Sequence, residues 1–146
     1  MPDPLRWGTT PLIADTTVWC KLRIAPQDAV EDFRAAAEQG LIIGSPVVHL
    51  EFLFHQKNGS EFDAADARFS AAPTLPLTPE ICTTALDVLR ELRARSAGGL
   101  HRVKAPDALV AATAAANGVN VLHDDKHYPT LAKVLDFDAV RFGPYH

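Results

Sequence analysis

Short apolar runs and longer stretches with apolar residues spaced three or four apart take turns along this chain. Pro11–Asp15, Leu41–Ile43, Thr74–Leu77, Val119–His123 and Ala139–Phe142 are brief and apolar without alternation, the pattern of strands buried on both faces. Helical spacing predicts helices over Thr16–Ile24, Pro26–Gln39, Val47–Gln56, Ser60–Ala72, Pro79–Arg95, Ala105 to a stop at Gly118, and Pro129–Leu135. The punctuation agrees. Ser45-Pro46 and Thr78-Pro79 set a capping hydroxyl before a proline whose missing N–H a first helical turn does not need, and Gly40, Gly98-Gly99 and Gly118 stand where helices stop. Strands alternating with helices predict a three-layer α/β domain with a mainly parallel sheet.

At 146 residues and 47% apolar content, residues 1–146 are expected to form a single domain with a core of its own. Residues 1–10 carry no clear pattern and are expected to be a loose N-terminal extension. Nothing approaches the roughly 18 consecutive apolar residues of a membrane span, and no secretory signal opens the chain, so the expected location is cytoplasmic. Cys20 and Cys82 share no ligand spacing and sit in helical patterns, which favours buried free thiols over a disulfide. A formal charge of −4 argues against a general nucleic-acid binder.

Four acids occupy positions that matter for chemistry. Asp15 ends the first strand, Glu51 lies on a helix face shared with Val47, Leu50 and Phe54, Asp107 sits in a helix first turn, and Asp125 follows the fourth strand. Singly, each has a structural explanation: a helix cap for Asp15, the helix dipole for Asp107, a solvated turn for Asp125. Glu51 fits such an explanation least, because an acid on an apolar face needs a partner. Jointly, carboxylates in one crevice repel one another unless a cation occupies the space. An oxygen-only cluster without cysteine suits Mg²⁺ or Mn²⁺, and Mg²⁺ completes its shell with water and phosphate. Phosphodiester or phosphate chemistry is the natural inference.

These residues resemble a known family. LIADTTVW, VVHLEFLF, HRVKAPDALVAATAAANG and VLHDDKHY, in this order and spacing, are similar to the four acidic motifs of PIN-domain ribonucleases, specifically VapC-type toxins of bacterial toxin-antitoxin systems. The resemblance covers most of residues 11–142. It implies a three-layer fold around a parallel five-stranded sheet in the order 3-2-1-4-5, which brings Asp15 and Asp125 together at the switch point. It also implies Mg²⁺- or Mn²⁺-dependent endonuclease cleavage of RNA, with Asp15, Asp107, Asp125 and Glu51 as the catalytic, metal-holding set. A VapB-type antitoxin partner and a homodimer are further implications.

The chain departs from the family pattern at one place. Relatives often carry another Asp two positions after the fourth acid, followed by Phe; here these are His127 and Tyr128. Either a second metal is held more weakly, or His127 contributes a contact to phosphate. Compensation by Asp124 is disfavoured, since adjacent residues point apart. Thr16, Arg102 and Lys104 are the other candidate substrate contacts. Arg93 and Arg95 suit a helix C-terminus, but Arg102 and Lys104 directly precede Asp107 and are placed to meet an RNA backbone. Thr113 is more simply a buried, back-bonding hydroxyl. The alternative is a non-catalytic PIN-like binding module. A phosphatase of another α/β fold would need a second acid two positions after Asp15, where Thr17 stands.

Overall fold

The computed structural model describes residues 1–96 and 102–145; the Gly98-Gly99 stop lies outside them. Four parallel strands, β1 (Leu12–Ala14), β2 (Ile42–Ile43), β3 (Asn120–His123) and β4 (Ala139–Arg141), form a sheet in the order β2-β1-β3-β4. Seven helices accompany them among the described residues: α1 (Thr16–Lys21), α2 (Gln27–Glu38), α3 (Pro46–Phe54), α4 (Gly59–Ala71), α5 (Pro79–Arg95), α6 (Ala105–Asn117) and α7 (His127–Leu131).

The fifth strand expected over Thr74–Leu77 does not form. That segment lies beside β2 as expected, but it makes only a single parallel bridge, Gly44 to Thr74. Leu75 N–H donates to Gly44 O at 3.0 Å and Gly44 N–H donates to Pro73 O at 2.7 Å. Pro73 and Pro76 bracket this pairing and have no N–H to extend it. The approach is close enough that a Cβ at Gly44 would meet Thr74 Oγ1 at 3.1 Å. The remaining four strands keep the expected neighbours.

Consecutive strand residues point to opposite sides of the sheet, and this builds the layers. Leu12, Ala14 and Leu122 pack with Val18, Ala29, Phe33 and Phe142. Ile13 and Val121 instead join the core under α3, α5 and α6. The face of α6 at that core is mostly alanine, with Ala108, Ala111, Ala112 and Ala114 all buried, so the helix lies close against its neighbours. Gly118 ends α6 in the left-handed region at φ 65°, which returns the chain at once into β3.

Three further expectations are corrected. Residues 1–10 are not loose: Trp7 is buried, stacks on Phe142 and donates from Nε1 to Phe142 O at 3.2 Å. Cys20 and Cys82 are free, as expected, but both are exposed rather than buried. On α3, Val47, Val48 and Phe52 face inward, whereas Leu50 and Phe54 are 71% and 84% exposed, so Glu51 borders an apolar face without belonging to it.

Candidate active site

β1 and β3 are adjacent and end together, with Ala14 opposite Leu122, so Asp15 and the loop after His123 leave the sheet at the carboxyl ends of its two central strands. Asp15 caps α1: its Oδ2 accepts from Thr17 N–H at 3.3 Å and from the Thr17 hydroxyl at 2.9 Å. Asp107 occupies the first turn of α6 and is 5% exposed. Between the two acids stands the fully buried Tyr128, whose hydroxyl donates to Asp15 Oδ1 at 2.7 Å and lies 3.3 Å from Asp107 Oδ1. Asp125 closes the group from the β3–α7 loop. Its Oδ1 accepts from His127 N–H at 2.8 Å, and its own N–H donates to His123 Nδ1 at 3.1 Å.

A PIN-domain family model matches residues 12–134, a span that holds every one of these acids. The chain belongs to the PIN-domain family. It is 35% identical over 88 residues to Ribonuclease VapC18 of Mycobacterium tuberculosis, an alignment spanning 60% of this chain and 64% of that one. It is 32% identical to Ribonuclease VapC51 of the same species over 84% of this chain and 85% of that relative. A solved structure of VapBC2 from Rickettsia felis bound to a promoter DNA fragment superposes with a TM-score of 0.68, at 15% identity over 89% of this chain and 97% of its own.

In this PIN domain the other sequence-derived candidates fall into two groups. Glu51 is half-buried and reached through Thr16, whose hydroxyl donates to Glu51 Oε1 at 2.6 Å. His127 joins the acids directly, its Nδ1 lying 3.3 Å from Asp107 Oδ2 and 3.5 Å from Asp125 Oδ1. Arg102 and Lys104 are exposed and flank the buried Val103 just ahead of α6. Thr113 bonds back to Leu109 O at 2.7 Å and stays out of the site. Asp124 also stays out, because it pairs with Lys21 and lies 4.0 Å from Arg141 Nε.

Electrostatics single out Asp107. Burial, reinforced by the charges of Asp15 and Asp125, pushes its carboxyl up to about 6 against the lowering effect of His127. Burial, together with Asp15 and Asp107, also holds the Tyr128 hydroxyl well above the usual phenol range, so it remains a hydrogen-bond donor. Burial holds the His123 imidazole below its usual range, in keeping with its accepting from Asp125 N–H at Nδ1.

Among the described residues, ligand-type atoms of Asp107, Asp125 and His127 all lie within 4.8 Å of one another, a donor set that fits a divalent cation. Asp15 and Glu51 stand outside that set: the Tyr128 hydroxyl bridges Asp15 to Asp107, and Thr16, next to Asp15 in the chain, holds Glu51. Tyr128 is the residue that sequence reasoning passed over. The available signal was chemical: a tyrosine at a buried position keeps a polar tip that needs a partner, and acids were the nearest candidates.

Proposed function

We propose that this PIN domain is a metal-dependent endoribonuclease toxin of a type II toxin-antitoxin pair. The observation that carries the reading is convergence. Asp15, Asp107 and Asp125 come from three separate segments to one largely buried group, and among the described residues no Lys or Arg forms an ion pair with any of them. That these relatives are ribonucleases supplies the substrate class.

Asp107, Asp125 and Asp15 would hold a Mg²⁺ or Mn²⁺ ion, with Glu51 fixed alongside by Thr16. Such an ion, when bound, activates water and steadies charge on a phosphodiester. The protein's own part is to hold the ligands still. Thr17 and Tyr128 occupy one oxygen each of Asp15 and fix its plane, and the His127 N–H fixes Asp125. Arg102 and Lys104 supply positive charge to the RNA backbone beside an otherwise acidic site.

The partner surface has its own chemistry. Trp19, Phe33, Phe52 and Phe69 line a cleft of about 800 Å³ bordered by Arg23, Arg34 and Arg68. An antitoxin segment carrying both apolar and acidic side chains matches that lining. Exposed Leu50 and Phe54 on α3 offer an apolar patch for a homodimer. No helix among the described residues is long and apolar enough to cross a membrane.

The test is cleavage of RNA by purified protein with Mg²⁺ or Mn²⁺ and with chelator. Asp15→Asn and Asp107→Asn each abolish cutting; retention of full activity in both refutes the reading. His127, which faces Asp107 and Asp125, favours one rival, a non-catalytic module. That rival predicts no cutting and no change in melting temperature when divalent ions are added.

A further inference from the structure

His127 is held as firmly as the acids it faces. It opens α7, the short helix whose Tyr128 and Leu131 are fully buried, and its own side chain is 14% exposed. Its backbone N–H is spent on Asp125 Oδ1, so the side chain and the carboxylate move as one piece. Its Nδ1 faces Asp107 Oδ2 at 3.3 Å and Asp125 Oδ1 at 3.5 Å. Neighbouring ligands of an octahedral ion with bonds of about 2.1 Å stand about 3.0 Å apart, close to the 3.3 and 3.5 Å that separate Nδ1 from the two carboxylate oxygens.

We propose that His127 is itself a ligand of the divalent ion, through Nδ1 beside Asp107 and Asp125, and that this nitrogen shifts the site's preference from Mg²⁺ toward first-row transition ions such as Mn²⁺. The inference rests on the metal-dependent reading above and deepens it. The chemistry is that of donor type. Mg²⁺ is a hard ion that takes oxygen donors and gives up its waters reluctantly, whereas the first-row divalent ions accept imidazole with affinity rising from Mn²⁺ onward. An imidazole added to the aspartates therefore costs Mg²⁺ an oxygen donor, whereas Mn²⁺ can use the nitrogen.

The test reads the bond rather than the activity. Full-length protein without a histidine tag is loaded with substoichiometric Mn²⁺ and examined by electron spin-echo envelope modulation. The native protein shows ¹⁴N modulation, which changes to the ¹⁵N pattern when only histidine is labelled. His127→Asp, checked for native circular dichroism, still binds Mn²⁺ but loses the modulation. The Mg²⁺ concentration needed to displace half the Mn²⁺ falls about tenfold in that variant. Bound Mn²⁺ without nitrogen modulation in a protein that cuts RNA overturns this inference alone, as does modulation that survives in His127→Asp. Absence of both Mn²⁺ binding and cutting overturns the metal-dependent reading as well. The labelling arm needs no variant, so a misfolded His127→Asp leaves the proposal open to refutation.

Discussion

Two acids of this protein are buried to nearly the same degree and live in opposite surroundings. Asp32, on α2, is 7% exposed and meets donors: Asp3 N–H at 2.7 Å and the Tyr145 hydroxyl at 3.1 Å. Through them it ties the first and last segments of the chain to one helix. Asp107 is 5% exposed and meets other acids, with Tyr128 committing its shorter bond to Asp15 and His127 the one basic side chain paired with Asp107 among the described residues. A buried carboxylate supplied with donors lowers the free energy of the fold. One crowded by its own kind raises it until something positive arrives.

Asp107→Asn is expected to reduce RNA cutting at least about 100-fold while leaving melting temperature in chelator unchanged or higher. Asp32→Ala should do the reverse, costing about 1–3 kcal/mol in urea unfolding by stranding the Asp3 N–H and the Tyr145 hydroxyl, with cutting per folded molecule retained.

Acidity sharpens the same contrast. The Asp107 carboxyl is raised from an ordinary 3.8 to about 6, chiefly by burial and then by Asp15 and Asp125, so the folded protein binds that proton more tightly than the unfolded chain. Its contribution to stability is therefore fully present below about 3.8 and is lost as pH rises through about 6. The stability difference between native protein and Asp107→Asn, measured in chelator at pH 4 and pH 7.5, should change by about 2 kcal/mol against the native protein at the higher pH. No change across that window would contradict the crowding described above.

Tyr128→Phe probes the bond between the acids. It removes a donor and keeps the ring, so a stability change within about 1 kcal/mol is expected, with a fall of about tenfold in kcat and little in KM, the pattern of a positioning residue. The smallest effect belongs to the exposed cations. Arg102→Ala and Lys104→Ala should each weaken RNA binding modestly, reduce its salt dependence by about one contact, and leave the melting temperature unmoved.

Much of the fold was legible because its signals are local. The strand and helix periods, the Ser45 and Thr78 caps and the Gly118 stop each act within a few residues of where they are read. The failures came from distant partners. Trp7 looked like part of a loose segment because Phe142, on which it stacks, lies at the other end of the chain. Thr74–Leu77 has strand composition, but Pro73 and Pro76 limit its pairing to one bridge. Helix α7 spans His127–Leu131 rather than the expected Pro129–Leu135, and that earlier start is what presents His127 and Tyr128 to the acids.

Sequence alone determined four of the five expected strands, the order of the elements, the parallel sheet and the four acids worth watching, because period, capping and charge are carried by neighbouring residues. Tertiary structure decided which of those acids touch: it drew Asp107, Asp125 and His127 into one set, placed the Tyr128 hydroxyl against Asp15, and turned Asp124 away toward Lys21. The reason is geometric. Contacts between residues many positions apart depend on which strands pair and how each helix is rotated against the sheet, and no local pattern encodes that rotation.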